Sequence, residues 1–421
     1  MMKWEARLRS WLMDHMLVLA YGAVALLGLF LRYSLLPMQS DDLVYMNASW
    51  FEAIKAEGMA GILEPSLEYT YSPLHLYVWM LAAALFGSFD THVVLKLVSI
   101  AFEIGLIAAL CGLMRTLMPG KNRRFHRFLG FAALCLNPVL LWNAAGWGQT
   151  DAMFALFAVL AVWMLMKDRP VWGLVWLGVS LGFKLQAIFL LPLFMMAYFC
   201  GRKRFSVLWF LLVPGILVAS GIPMMLVGES PLFAVNIYLG QTDLYSRITY
   251  NYPNLYAIMG EALEVDQMIL GMHSRVGMAL CIAALGAVAA YLMAFRRQLD
   301  HPSMVLLGAW CVLCCVFFLP RMHERYAIVG ELLLICWALW TCKPRAFLYV
   351  LLSMAPVLSA YSEYLFRKPF FSLQLGGVMN LVLFALLSWE VVTALHNAPS
   401  TADRERMMMN LKPEEAKEQA Q

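Results

Sequence analysis

Apolar runs long enough to cross a bilayer recur along nearly the whole chain, and this feature narrows the fold more than any motif does. A helix rises 1.5 Å per residue, so about 20 apolar residues span a hydrocarbon core of about 30 Å. Such runs cover 16–36, 93–117, 128–145, 152–166, 170–184, 186–200, 205–227, 271–295, 303–319, 325–342, 346–362 and 373–395. Composition agrees: 62% of the 421 residues are hydrophobic and 14% are charged, against about 25% charged in soluble domains. The expected fold is an all-α polytopic membrane protein with about 12 transmembrane helices. The first run lacks a small-residue cleavage site and reads as a retained anchor.

Basic residues mark the cytoplasmic ends of spans. They cluster at Lys3/Arg7/Arg9, Lys121/Arg123/Arg124/Arg127, Lys167/Arg169, Arg202/Lys203/Arg204, Arg296/Arg297, Lys343/Arg345 and from Arg404 onward. Placing all of them inside requires an even number of spans between each pair. A further apolar run, 74–87, breaks that parity. It would measure about 21 Å as a helix, too short to span, and it begins just after Pro73. It is therefore expected to be a re-entrant or interfacial helix on the outer side. Both termini then lie in the cytoplasm of a multi-pass cell-membrane protein. One transmembrane domain is expected over 1–397, with external loops at 37–92 and 228–270. A polar cytoplasmic tail, disordered by composition, follows over 398–421.

The nine cysteines lie in or beside apolar runs. Cys311, Cys314 and Cys315 share a helical face, which would suit either a metal site or small packing residues. No flanking His supports the first, so packing is the preferred reading.

This topology places five polar islands outside. They are 37–73 with Ser40-Asp41-Asp42, then Trp147-Gly148-Gln149-Thr150-Asp151, then Lys184-Leu185-Gln186, then 228–270 with Asn236, Tyr238, Gln241, Asp243, Tyr245, Arg247, Tyr250 and Tyr252, and finally Arg321-Met322-His323-Glu324-Arg325-Tyr326. Four ionisable groups within five positions between apolar runs are costly, about 2.5–3.5 kcal/mol each at bilayer depth, and such groups usually mark function. Structural readings stand beside the functional ones. Asp41 and Asp42 can cap a helix over 43–57, Asp151 can cap the next span, and Trp147 can be an interfacial anchor. Lys184 can snorkel, and the tyrosines of 228–270 can be interfacial aromatics.

A carboxylate beside cations at a membrane face suits transfer from a phosphate-linked lipid. The carboxylate takes the acceptor's proton, and Arg or Lys stabilises the leaving phosphate. Asp42 as base with Arg321, Arg325 and Lys184 as phosphate binders makes a complete set. No GxxxxGK[ST], GxSxG, HExxH or DxD signature points to a cytoplasmic nucleotide donor.

Several pieces together resemble the GT-C glycosyltransferases, above all bacterial relatives of the mannosyltransferase that adds the second mannose of GPI anchors. They are Ser40-Asp41-Asp42 with Trp50-Phe51-Glu52, Tyr71-Ser72-Pro73-Leu74 with Tyr77, Asn137-Pro138, Trp147 to Asp151, Lys184-Leu185-Gln186 with Pro192, and Pro320 to Tyr326. The resemblance implies a polyprenyl-phosphate hexose donor, an external site and inversion at the anomeric carbon. It implies Asp42 as catalytic base with Asp41 in support. It places substrate at Trp147, Gln149, Asp151, Lys184, Gln186, Arg321, His323, Glu324, Arg325 and Tyr326. The family often has Gly where Asp41 stands, Tyr-Pro-Pro for Tyr71-Ser72-Pro73 and Lys-Pro-Gln for Lys184-Leu185-Gln186.

No cofactor is expected, although Asp41, Asp42 and His323 can be imagined sharing a divalent ion. The acceptor is an envelope glycan, glycolipid or protein that the sequence does not name. Membrane lipid is an expected partner and nucleic acid is not. A flippase for lipid-linked sugars would favour charges within spans, where Lys96 and Glu103 are the main examples. A glycan polymerase or ligase would use a pyrophosphate-linked oligosaccharide instead.

Overall fold

A computed structural model describes residues 3–244, 247–259 and 274–400. Tyr245, the side chain of Asp243, residues 260–270 of the long loop and the tail beyond Ser400 lie outside the described residues. The expectation of a disordered tail falls there too.

In chain order the helices are α1 (Lys3–Leu35), a π-helical turn (Asp42–Asn47) that runs into α2 (Ala48–Glu57), α3 (Pro73–Phe86), α4 (Thr91–Leu117), α5 (Arg124–Cys135), and α6 (Pro138–Leu141), which runs into a second π-helical turn (Trp142–Trp147). They continue with α7 (Asp151–Met166), α8 (Pro170–Phe183), α9 (Leu191–Cys200), α10 (Leu212–Gly221), α11 (Phe233–Leu244) and α12 (Leu255–Met259). The last are α13 (Ser274–Ala294), α14 (His301–Phe318), α15 (Ile328–Thr341), α16 (Pro344–Phe366) and α17 (Leu373–Asn397).

Local chemistry sets many of the starts. Proline occupies the first turn of α3, α6, α8 and α16, where its missing N–H costs nothing. Asp90, Asn137, Asp300 and Ser372 accept from the first free backbone N–H groups of α4, α6, α14 and α17.

Each apolar run becomes a helix, but eight, not twelve, are long and apolar enough to cross a membrane among the described residues. The expected spans 152–166, 170–184, 186–200 and 325–342 form the shorter helices Asp151–Met166, Pro170–Phe183, Leu185–Cys200 and Ile328–Thr341. A 14-residue helix such as α8 or α15 is about 21 Å long, short of the core thickness. The expected short helix 74–87 is α3, Pro73–Phe86.

Burial divides the helices by role. The spanning part of α1 is 11% buried within the protein while that of α14 is 89% buried. Leu26 and Phe30 stand open on α1, as helices bathed in lipid do. One large core joins α4, α7, α14 and α15. A second packs Leu43, Trp50, Phe51 and Trp79 onto Val94 and Leu95 of α4. This second core seats the segment carrying Asp42 against the bundle.

The two charges noted within spans are both tied down. Arg32 of α1 forms a buried ion pair with Glu103 of α4, and its guanidinium also donates to the carbonyls of Gly28 and Cys135, each at 2.9 Å. Removing one member leaves a charge stranded, which costs about 3–5 kcal/mol. Glu103→Leu is therefore expected to lower the thermal midpoint in detergent sharply. The double variant with Arg32→Leu should recover most of the loss.

Candidate active site

The π-helical turn that opens after Asp41 sets the site. Neither Asp41 nor Asp42 caps it: Asp41 makes no side-chain capping bond. Ser40 does that work, its Oγ accepting from Leu43 N at 3.2 Å and donating to Trp147 O at 2.8 Å. The capping reading of the two aspartates is thus excluded. The side chain of Asp42 turns inward, 23% exposed. Its Oδ2 accepts from Trp147 Nε1 at 3.2 Å and Gln149 Nε2 at 2.5 Å, and its Oδ1 accepts from the Tyr364 hydroxyl at 2.6 Å.

Gly148 makes this arrangement possible. It adopts φ +80°, and a Cβ there would lie 2.9 Å from Leu43 Cδ1. Only glycine accepts both the backbone angle and the close approach. The turn lets Trp147 and Gln149 point at the same carboxylate.

Asp151 begins α7 and is fully buried. It is not a simple cap: the N-cap residue is Thr150, which makes no side-chain capping bond. Its Oδ1 receives Lys184 Nζ, and its Oδ2 accepts from Asn143 Nδ2 at 2.9 Å with Arg325 Nε at 3.6 Å. Lys184 therefore does not snorkel; it is 12% exposed and paired. Trp147 is likewise no surface anchor but wholly buried. Its indole stacks on Tyr364 at 4.3 Å between centroids, and Arg325 Cζ lies 5.2 Å from the indole centroid.

Arg325 is the hub. It stands 3.9 Å from Asp42 Oδ2 and 3.2 Å from Glu324 Oε1, besides its contact with Asp151. Burial pushes the Glu324 carboxyl up to about 7, against the pull of Arg325. Burial holds the Lys184 ammonium below its usual range and the His323 imidazole well below its own.

The Glu324 shift fixes a sign. Its proton is held more tightly in the folded protein than in the unfolded chain, so its contribution to stability is complete below the ordinary carboxylate range and is lost as pH rises through about 7. Wild type should lose thermal midpoint over that window. Glu324→Gln, which still offers Arg325 a carbonyl, should flatten the slope when unfolding is followed from acid to neutral pH.

All five polar islands meet. The 37–73 and 147–151 islands join at Asp42, and Lys184 joins through Asp151. The 228–270 island joins through a short parallel pairing of β1 (Thr249–Tyr250) with β2 (Met322–His323), and through Arg321 N to Ile248 O at 2.7 Å. Tyr250 stacks on His323 at 4.9 Å. Gln241 reaches Thr70 O at 2.7 Å. A small cavity beside Lys184 and Arg325 is lined also by Tyr71, Gln186 and Tyr326. The Oε1 atoms of Gln149 and Gln186 are buried without a hydrogen-bond partner among the described residues.

Two expected site residues stand apart. Asp41 is 69% exposed and faces Arg367 at 3.5 Å, not the base. Arg321 makes no ion pair among the described residues, and its Nε is buried without a partner. The idea of a divalent ion shared by Asp41, Asp42 and His323 does not fit this geometry. Such ions need several converging oxygens, whereas Asp41 points to Arg367 and Asp42 already accepts from three donors. No group of three His, Cys, Asp or Glu side chains among the described residues is placed to hold a metal, the buried Cys311, Cys314 and Cys315 included.

Tyr364 and Asn143 escaped sequence reasoning. The one available signal for Tyr364 was the run Ser359 to Glu363 just before it, unusually polar for a span.

The model of glycosyltransferase family 87 matches residues 69–320, more than half of the chain. The match takes in Tyr71, the Trp147–Asp151 segment, Lys184 and Gln186, and stops short of both Asp42 and Arg325. Among curated proteins none matches the chain.

Proposed function

The chain belongs to glycosyltransferase family 87, a GT-C-type family of membrane glycosyltransferases, and on that premise we propose that it moves a hexose from a polyprenyl-phosphate carrier to an envelope acceptor outside the cytoplasm. Mannose is the favoured sugar and glucose the second choice. The observation that carries the reading is the pairing of one partly open carboxylate, Asp42, with the Arg325 guanidinium 3.9 Å away. A carboxylate and cations gathered in one buried site suit a displacement in which the first takes a proton and the others offset charge on the leaving phosphate.

In the proposed step an acceptor hydroxyl gives its proton to Asp42 as its oxygen bonds to the anomeric carbon. The bond from that carbon to the phosphate oxygen breaks, and its electron pair stays on the lipid phosphate. Arg325 and Lys184 offset the charge developing there, in a buried site where such help counts for more than in water. Direct displacement inverts the anomeric centre. Trp147, Gln149 and Tyr364 hold the base in place, and Asp151 holds Lys184. The buried acceptor oxygens of Gln149 and Gln186 suit sugar hydroxyls. Tyr326, which lines the cavity, completes the proposed substrate contacts, Glu324 braces Arg325, His323 stacks on Tyr250, and Arg321 is left outside the cavity. Asp41 is left a peripheral part.

The transporter reading gains nothing from the spans, because Glu103 and Lys96 are both engaged by protein partners. The test supplies purified protein in lipid with labelled polyprenyl-phosphate mannose, polyprenyl-phosphate glucose, nucleotide sugars or pyrophosphate-linked oligosaccharide, and an envelope extract as acceptor. Transfer from a monophosphate donor alone is expected. Transfer only from the pyrophosphate donor would favour a polymerase or ligase. Movement of intact donor across sealed vesicles without transfer would favour a flippase.

A further inference from the structure

Lys96 is fully buried in the second turn of α4 and has no carboxylate partner among the described residues. Its ammonium donates to backbone carbonyls alone: Leu35 and Leu36 at 3.2 Å, Gly146 at 3.0 Å, and Met38. Three of these belong to the stretch that leaves α1 and leads to Asp42. The fourth belongs to the π-helical turn that ends in Trp147. We propose that Lys96 is a positioning residue for Asp42, pinning the segment that carries the carboxylate to the turn that carries its two donors. The inference rests on Asp42 being the base.

Several physical points converge. The last carbonyls of α1 lack helical partners and sit at the negative end of the helix dipole, so an ammonium there is well placed. A buried charge is costly unless its donors are satisfied, and this one is satisfied only while both segments stay where they are. Met38 lies four residues before Asp42, and Gly146 directly precedes Trp147. Without the pin, the junction would be held by the contacts from Ser40 to Trp147, from Asn47 to Gly148 O, and from Trp147 and Gln149 to Asp42. Among the described residues Lys96 pairs with neither Asp42 nor any other charged side chain, so its influence passes through the backbone carbonyls it holds. Glu103, seven residues on and on the same face of α4, fastens α1 a second time through Arg32. The two charges of α4 that a flippase for lipid-linked sugars would favour are thus a clamp on α1.

The test compares wild type, Lys96→Met and Lys96→Gln as full-length protein in lipid, by hydrogen exchange and by transfer from polyprenyl-phosphate mannose. Lys96→Met keeps length and loses every donor; Lys96→Gln keeps two N–H groups without the charge. Exchange in peptides covering 37–43 and 143–149 should rise about tenfold in Lys96→Met, with α7 unchanged. Its kcat should fall about 10–100-fold with donor KM within about twofold, the split expected when the base is misplaced but the lipid site is intact. Lys96→Gln should fall between, and it carries the test if Lys96→Met does not fold. Unchanged exchange in both segments would overturn the proposal, as would loosened segments with unchanged kcat. If wild type transfers nothing from any donor, the proposed reaction has failed; exchange then decides alone whether Lys96 pins the two segments.

Discussion

Asp42→Asn is expected to lower kcat for hexose transfer by about 10²–10⁴-fold, the usual contribution of a general base, while leaving the protein folded. The asparagine is nearly isosteric. Its carbonyl can take the place of Oδ2 and accept from Trp147 Nε1 and Gln149 Nε2, and its amide can donate to the Tyr364 hydroxyl, which rotates to accept. What disappears is the capacity to take a proton and the negative charge facing Arg325. Donor KM should change little, because the carboxylate acts on the acceptor. Steady-state kinetics beside a thermal melt would check both halves of this expectation. Asp41→Asn offers a sharp contrast: its exposed side chain faces Arg367, so it should stay within about threefold of wild type, as exposed ion pairs contribute little.

Arg325→Ala is expected to have the second large effect, and a mixed one. Arg325 meets Asp42, Asp151 and Glu324 and lies over the Trp147 ring. Truncation strands buried carboxylates, at a cost of about 3–5 kcal/mol, and removes the cation proposed for the leaving phosphate, worth about 10²–10³ in rate. Misfolding would blur that result, so Arg325→Lys is the informative partner. Lysine restores one charge but not the planar fork that serves three carboxylates from one position. Arg325→Lys should fold, melt lower than wild type, and lose about tenfold or more in kcat/KM. Equal activity of Arg325→Lys and wild type would reduce the guanidinium to a generic charge.

Much of this site was legible in the sequence for one reason: ionisable residues beside apolar spans are expensive and rarely idle. Asp42, Asp151, Lys184 and Arg325 stood out on that ground, and they do come together. Tyr364 did not stand out, because a tyrosine near a helix end usually reads as an interfacial aromatic, and nothing local links it to a residue 322 positions earlier. Asn143 was hidden in the same way inside a π-helical turn whose register no hydrophobic pattern encodes. Asp41 misled in the opposite direction. Adjacent residues on a helical turn point in different directions, so neighbourhood in the chain said nothing about which carboxylate faces the interior. Helix existence followed from apolar runs, and among the described residues eight helices also have the length and composition to cross a membrane. The 14-residue helices α8 and α15 are among the parts buried in protein, where a helix need not match the bilayer.

The measurement that bears most directly on the central claim uses a synthetic polyprenyl-phosphate hexose of defined anomeric configuration, with wild type and Asp42→Asn side by side in lipid. The linkage in the product would be read by NMR. The expected result is hexose transfer by wild type with the anomeric configuration inverted, and product formed by Asp42→Asn about 10²–10⁴-fold more slowly. A product of retained configuration, or Asp42→Asn working at the wild-type rate, would contradict direct displacement with Asp42 as the base.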